Sequence, residues 1–217
     1  MADFAVIFDM DGVLVDSTKS IMLSFNQILN RHGVHIPDEE VKHYLGLSIK
    51  DIVRMWKEKY NVVFEPQKFI EEANKTQLEI MKKDLKVNLN LLKLLKELSS
   101  NNIPMGVGTS SYTDRAMKML DLVGIRAYFS AISTAEEIPE HKPNPHIFLS
   151  VAEKLKVNPK NCVVIEDADV GIEAAKSGGM KSIGYLDYYT TKEKLKGADF
   201  VIENFSELSY QKIKGLF

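Results

Sequence analysis

The feature that most constrains the fold of this chain is a repeated pair of patterns: a short apolar run, then a segment of helix length with one apolar face. A run that is apolar at every position suits a strand buried on both faces, as in parallel sheets covered by helices. Alternation of such strands and helices predicts a doubly wound α/β sheet. The predicted strands are residues 4–8, 105–108, 127–132, 162–165, 181–185 and 200–202.

One long stretch breaks the alternation. Between the first and second predicted strands the pattern is helical, and it includes no convincing strand. The predicted helices are residues 17–31, 37–44, 48–59 and 66–82, followed by 89–98, which leads into the second strand. The simplest arrangement is an all-helical domain, residues 18–84, inserted into a Rossmann-like core formed by residues 1–17 and 85–217.

Charge and composition exclude several classes of partner. The formal net charge is −2, so no global positive field exists to hold nucleic acid or an anionic membrane. The single cysteine, Cys162, excludes an intramolecular disulfide, and its apolar run predicts a buried strand residue. The first apolar run is too short for a membrane span or a signal sequence. We therefore expect a cytoplasmic protein, a monomer or weak homodimer, that acts on a small molecule.

In an open parallel sheet, ligands bind beyond the carboxyl ends of the strands, so the residues that follow each run are the candidates for chemistry. Asp9 and Asp11 follow the first run, with Gly12 behind them. Two carboxylates at this spacing can share a cation or divide the roles of nucleophile and acid. The alternative is a polar turn at the end of a strand, where Asp and Gly are common.

Three further strand ends or loops carry polar residues suited to a phosphate or a cation. Thr109 and Ser110 offer hydroxyls at the start of a helix, although simple helix capping is the alternative. Lys142 lies in a proline-flanked loop and can place a charge on a phosphoryl oxygen, although it can equally be an exposed lysine. Glu166 and Asp167 follow a buried run, where a cation shared with other carboxylates would offset their desolvation; the alternative is helix capping.

In this order and with these intervening elements, the residues form a specific combination. The sequence resembles the haloacid dehalogenase superfamily, in the branch with a helical cap and closest to the β-phosphoglucomutase-like and phosphoglycolate-phosphatase-like groups. Residues 8–17 match the first family motif, Thr109 the second, Lys142 the third, and Glu166 with Asp167 the fourth. The resemblance implies a doubly wound core and places residues 18–84 as the cap.

The resemblance also implies roles for these residues. Asp9 would attack phosphorus and form a phospho-aspartate, and Asp11 would protonate the leaving alcohol and then deprotonate water. Mg²⁺ would be held by Asp9, Asp167 and the backbone carbonyl of Asp11, with Glu166 acting through a metal-bound water. Which of the adjacent acidic pair binds the metal directly follows from the family pattern alone.

The same resemblance places Thr109, Ser110 and Lys142 on the transferred phosphoryl group. The implied activity is Mg²⁺-dependent hydrolysis of a small phosphorylated metabolite, such as a sugar or polyol phosphate. The dehalogenating branch lacks an aspartate at the position of Asp11, so halide removal is not expected.

A sugar-phosphate mutase of the β-phosphoglucomutase type is the second hypothesis. That group carries a cap histidine where this chain has Ile21, and basic residues beside a Gly-x-Ser loop. Here the loop is Gly46-Leu47-Ser48, but Leu45 and Ile49 flank it, which favours hydrolysis. A third hypothesis is a non-catalytic receiver-type module, and the long helical insert argues against it.

Overall fold

The computed structural model describes residues 4–37, 40, 42–44, 49–84, 87–187 and 190–217. Within that part of the chain, six strands form one parallel sheet in the order β3-β2-β1-β4-β5-β6. The predicted α/β fold class is confirmed. The strands are β1 (Ala5–Phe8), β2 (Met105–Gly108), β3 (Ala131–Ser133), β4 (Cys162–Glu166), β5 (Lys181–Tyr185) and β6 (Phe200–Ile202).

Helices connect the strands and also form most of the long insert. They are α1 (Thr18–Asn30), α2 (Ile49–Tyr60), α3 (Pro66–Asp84), α4 (Leu89–Ser100), α5 (Thr113–Leu122), α6 (His146–Leu155), α7 (Asp169–Ser177) and α8 (Tyr210–Lys214). Among the helices of the described residues, none has both the length and the apolar content needed to cross a bilayer.

The chain divides into two compact units, one formed by Met1–Val15 with Lys86–Phe217 and the other by Asp16–Leu85. We call them the core unit and the cap unit. The core unit holds the whole sheet, and the regular elements described in the cap unit are helical. The domain boundaries drawn from the sequence, after residues 17 and 84, lie close to these divisions.

The order of the strands decides where a ligand can bind in the core unit. β1 lies at the centre, and Phe8 is in register with Val107 of β2 on one side and with Ile165 of β4 on the other. The chain runs from β1 out to β2 and β3, and then crosses back to β4 on the opposite side. This reversal opens a crevice between the carboxyl ends of β1 and β4, at the switch point of the sheet.

The predicted third strand, residues 127–132, is wrong in its first half. Residues Arg126–Tyr128 form a 3-10 turn, and β3 covers only Ala131–Ser133. The N–H of Phe129 donates to the Arg126 carbonyl, so these backbone groups are satisfied within the turn instead of in the sheet. The apolar content has another cause here: the Phe129 ring packs edge-on against Phe8, with ring centroids 5.8 Å apart.

A continuous apolar cluster covers one face of the sheet. Inward side chains of β1 and β4 pack there against α6 and α7, and all of them are buried. Cys162 is part of this cluster, as predicted, and burial raises the pKa of its thiol to about 11. The principal members are Ala5, Ile7, Phe148, Val151, Cys162, Val164, Ala174 and Ala175.

The cap unit has its own core, centred on Trp56, which is fully buried. Four aromatic rings approach its indole at centroid distances of 5.3–6.4 Å, all of them edge to face. They belong to Phe25, Tyr44, Phe64 and Phe69. The predicted helix over 37–44 is described only in part, with a 3-10 turn at Lys42–Tyr44, and the Gly46-Leu47-Ser48 loop lies outside the described residues.

Candidate active site

Asp9 stands at the centre of the crevice, directly after β1. Its backbone N–H donates to the Ile165 carbonyl of β4 over 2.9 Å, so the residue is anchored to the neighbouring strand. Every residue of β1 is buried, and Asp9 itself is only 6% exposed. A carboxylate in such a place is costly unless a positive group lies close to it.

Lys142 supplies that positive group. Its Nζ lies 2.5 Å from Asp9 Oδ1 and 2.7 Å from Glu166 Oε1, and its side chain is 5% exposed. The ammonium also lies over the Phe148 ring of α6, 4.7 Å from the ring centroid. The interpretation of Lys142 as an exposed loop residue is therefore wrong. The structure places its ammonium against the carboxylates of Asp9 and Glu166.

The buried charges shift one another's pKa values. Burial raises the pKa of Asp9 to about 7; the Lys142 ammonium opposes this shift, while the charges of Glu166 and Asp11 add to it. Burial alone would lower the pKa of Lys142, but the two carboxylates that it contacts outweigh burial and raise it. Lys142 therefore stays charged at neutral pH.

Asp9, Glu166 and Asp167 form an acidic cluster that can hold a metal ion. One carboxylate oxygen from each lies within 4.8 Å of the others. Burial raises the pKa of Asp167 well above its usual value, and the charges of Glu166 and Asp9 raise it further. Three carboxylates around one ammonium leave excess negative charge, and all-oxygen donors suit a hard cation such as Mg²⁺.

Two glycines leave room for the acidic side chains. Gly12 has a φ of +86°, and a Cβ built on it would lie 2.1 Å from Asp167 Oδ2. A Cβ built on Gly171, in α7, would lie 1.8 Å from Glu166 Oε1. A side chain at either position would displace the neighbouring carboxylate.

The two hydroxyl residues that follow β2, Thr109 and Ser110, differ in burial. Thr109 is buried, its N–H donates to the Ser133 carbonyl over 3.1 Å, and its Oγ1 accepts the Ser111 N–H over 3.1 Å. This leaves the Thr109 hydroxyl proton able to point toward a ligand. Ser110 is exposed in the loop before α5.

Arg115 and Ser111 are polar contacts of Asp11 that the sequence interpretation missed. The Arg115 guanidinium binds both Asp11 oxygens, with Nη2 2.6 Å from Oδ1 and Nη1 2.7 Å from Oδ2. The Ser111 hydroxyl donates to Oδ2 over 2.8 Å. Arg115 lies one helical turn before Met119 on the buried face of α5, so its spacing was a signal, although its charge argued against burial.

Comparison with known proteins agrees with this geometry. A sequence model of the haloacid dehalogenase-like hydrolase family matches residues 6–185. Fructose-1-phosphate phosphatase YqaB of Escherichia coli is 31% identical over 178 residues, which cover 82% of this chain and 94% of that protein. Beta-phosphoglucomutase of Bacillus subtilis is 30% identical over 215 residues, which cover 95% and 92%.

Solved structures give the same result. The crystal structure of beta-phosphoglucomutase from Clostridium difficile superposes with a TM-score of 0.84 at 30% sequence identity. The match covers 99% of this chain and 96% of that one. Fold, sequence and the residues gathered at the switch point lead to one assignment. The chain belongs to the haloacid dehalogenase-like hydrolase family, in the branch that includes β-phosphoglucomutase, as its motifs predicted.

Proposed function

We propose that this protein is a Mg²⁺-dependent phosphatase that hydrolyses a small phosphomonoester through a phospho-aspartate on Asp9. The observation that carries the proposal is the arrangement at the switch point. There a buried carboxylate, Asp9, contacts a buried lysine and shares a metal-binding cluster with Glu166 and Asp167.

Asp9 is the nucleophile in this proposal. Its carboxylate oxygen attacks phosphorus, and the ester oxygen leaves as the P–O bond breaks. A carboxylate that approaches a phosphate dianion is repelled, so the site has to supply positive charge. Lys142, held 2.5 Å from Asp9, supplies one such charge, and the Thr109 hydroxyl and Ser110 supply hydrogen bonds to phosphoryl oxygens.

The acidic cluster fits Mg²⁺ by the chemistry of its donors. Asp9, Asp167 and the Asp11 backbone carbonyl would hold it, and the ion would neutralise charge on the phosphoryl oxygens. Both Glu166 oxygens already accept hydrogen bonds, Oε1 from Lys142 over 2.7 Å and Oε2 from the Ala168 N–H over 2.6 Å. That engagement supports an indirect role for Glu166 and a direct one for Asp167.

Asp11 is the general acid and base of the proposal. It gives a proton to the departing alcohol in the first step. In the second step it takes a proton from the water that attacks the phospho-aspartate, which frees Asp9 and inorganic phosphate.

The names of the relatives support a sugar or polyol phosphate as the substrate. Besides the fructose-1-phosphate phosphatase, they include a phosphorylated carbohydrates phosphatase of Thermotoga maritima at 27% identity and hexitol phosphatase B of Escherichia coli at 29%. The substrates in these names are phosphorylated sugars and polyols, and we infer a substrate of the same class for this protein.

The test is phosphate release from a panel of sugar, polyol and aryl phosphates, with Mg²⁺ or with EDTA. Wild type should turn over in Mg²⁺ only, and Asp9→Asn should lose at least about 10³-fold. Asp114→Asn, an exposed surface carboxylate on α5, is the matched control and should keep full activity. Equal turnover by Asp9→Asn and wild type would overturn the role of Asp9.

A sugar-phosphate mutase is the second candidate, because beta-phosphoglucomutase of Bacillus subtilis aligns over 95% of this chain. Ile21, which lies half-buried in α1, replaces the histidine of that group and disfavours it. The same panel separates the two candidates. Conversion of a sugar 1-phosphate to the 6-phosphate without phosphate release would establish the mutase and exclude the phosphatase.

A further inference from the structure

The Arg115–Asp11 pair is an ionic contact within the core unit, in which Arg115 is buried and Asp11 is partly exposed. Arg115 is 6% exposed and the Asp11 side chain is 24% exposed, and the two are 104 residues apart in sequence. The contact is bidentate, since each guanidinium nitrogen meets its own carboxylate oxygen at 2.6 and 2.7 Å. This fork-to-fork geometry fixes the plane of the carboxylate as well as its position.

Ser111 completes the arrangement. Its hydroxyl donates to Asp11 Oδ2 over 2.8 Å, and the same oxygen accepts from Arg115 Nη1. A carboxylate offers about four acceptor sites, so at least three of those on Asp11 are occupied. These three hydrogen bonds restrict the rotation of the Asp11 side chain.

A buried arginine on an otherwise apolar helix face needs a reason to be there. The buried residues beside it on α5 are Ala116, Met119 and Leu120, where an apolar side chain would cost less. The contact joins α5 to the loop after β1, which carries the proposed acid and base. A contact needed only for stability could have been made by apolar packing.

We propose that Arg115 is a positioning residue for Asp11, holding its carboxylate in the orientation used for proton transfer. The inference rests on the proposed function, because it gives a role to a residue that acts on the proposed acid and base. Arg115 does not touch the reacting atoms in this proposal. Its effect passes through Asp11, and Ser111 assists it.

The first experiment asks whether the pair exists in solution and needs no catalysis. Urea unfolding is measured for wild type, Arg115→Gln, Asp11→Asn and the double variant in EDTA. The effects of the two changes on the free energy of unfolding should be non-additive. The unfolding equilibrium constant of the double variant should differ roughly tenfold from the value that independent effects would give. Additive effects would overturn the inference. Arg126→Gln, an exposed arginine paired with Asp121, is the control and should add independently to Asp11→Asn.

The second experiment separates the two chemical steps with 4-nitrophenyl phosphate. Nitrophenolate leaves without a proton, so phosphorylation of Asp9 does not need Asp11, whereas hydrolysis of the phospho-aspartate does. Arg115→Gln should keep the rate of the rapid nitrophenolate burst within about twofold and slow the steady phase roughly tenfold or more. Arg115→Lys should recover part of that loss, because it keeps a cation at the same place.

The steady phase in the Asp11→Asn background is decisive. If Arg115 acts through Asp11, adding Arg115→Gln to Asp11→Asn should slow the steady phase no further. Three results would overturn the positioning role of Arg115. Arg115→Gln could slow the burst and the steady phase equally, or it could make the steady phase faster. It could also slow the steady phase as much in the Asp11→Asn background as in wild type. A wild type that releases no phosphate from any ester would instead overturn the proposed function.

Discussion

Lys142 and Asp9 form an ion pair in which both side chains are shielded from water. Nζ of Lys142 lies 2.5 Å from Oδ1 of Asp9, and the two side chains are 5% and 9% exposed. The same ammonium contacts Glu166 Oε1 at 2.7 Å. One cation thus compensates two buried carboxylates, and its removal would leave both of them uncompensated.

Lys142→Met should therefore destabilise the core unit strongly when no divalent cation is present. We expect a loss of about 3–5 kcal/mol in the free energy of unfolding, measured by urea denaturation at pH 7 in EDTA. Adding Asp9→Asn should recover part of the loss, because one of the two opposing charges is removed. The control is Lys118→Met, which breaks an exposed i,i+4 pair with Asp114 and should cost at most about 0.5 kcal/mol. Equal stability of the two lysine variants would contradict the prediction.

The acidic cluster predicts that Mg²⁺ stabilises the folded protein. Binding to the native state alone raises the free energy of unfolding by about 2.7 kcal/mol when the ion is at 100 times its Kd, so the Tm of wild type should rise with Mg²⁺. Asp167→Asn should abolish most of this rise. Asp169→Asn changes an exposed carboxylate two residues away and should keep it. A Tm that responds to Mg²⁺ equally in both variants would place the ion elsewhere.

At Gly171 we expect a Gly→Ala substitution to destabilise the protein, which is the opposite of its usual effect in a helix. In a helix, Gly→Ala normally stabilises by up to about 1 kcal/mol. At Gly171 the new Cβ would lie 1.8 Å from Glu166 Oε1, so we expect Gly171→Ala to destabilise by about 1–3 kcal/mol and to weaken the Mg²⁺ response. Gly215→Ala is the matched control, because Gly215 has a φ of −67° and its nearest neighbour, the Lys212 carbonyl, would be 3.4 Å from the Cβ. A neutral or stabilising Gly171→Ala would show that Glu166 can move without cost.

Glu40 gives the cap unit a pH dependence. Burial alone would raise the pKa of Glu40, but hydrogen bonds from Lys59 (2.7 Å), Tyr44 and Tyr60 (2.6 Å) outweigh it and lower the pKa from 4.5 to about 2. A lowered pKa in the folded state means that the stabilisation is fully present above about pH 4.5 and is lost as the pH falls toward 2.

Glu40→Gln should therefore lower the free energy of unfolding of the cap unit by about 1–2 kcal/mol at pH 7, and by progressively less below pH 4.5. Unfolding of the cap unit can be followed by the fluorescence of Trp56, because Trp56 is the only tryptophan in the sequence and lies in the core of this unit. Glu58→Gln changes an exposed carboxylate of α2 and is the control, which should keep the wild-type free energy of unfolding at pH 7. A difference between Glu40→Gln and wild type that stays constant from pH 7 to pH 3 would contradict the assignment.

Much of the fold could be predicted from local patterns. Five of the six strands both begin and end within one residue of the predicted runs, because a mostly apolar run of this length has few other stable uses in a covered sheet. The third run failed because aromatic content does not distinguish a strand from a 3-10 turn whose side chain reaches the core, as Phe129 does.

By itself the sequence determined the α/β class, the helical insert and the family, and it singled out the strand ends that carry Asp9 and Glu166 and the loop that carries Lys142. These depend on periodicity and on residue types at fixed places, which are local properties. Only the tertiary structure decided that β1 pairs with β4, that Lys142 is buried between Asp9 and Glu166, and that Arg115 binds Asp11. Those contacts join residues 24 to 157 positions apart, and the burial of a charge is favourable only once its partner is in place, which no local pattern can express.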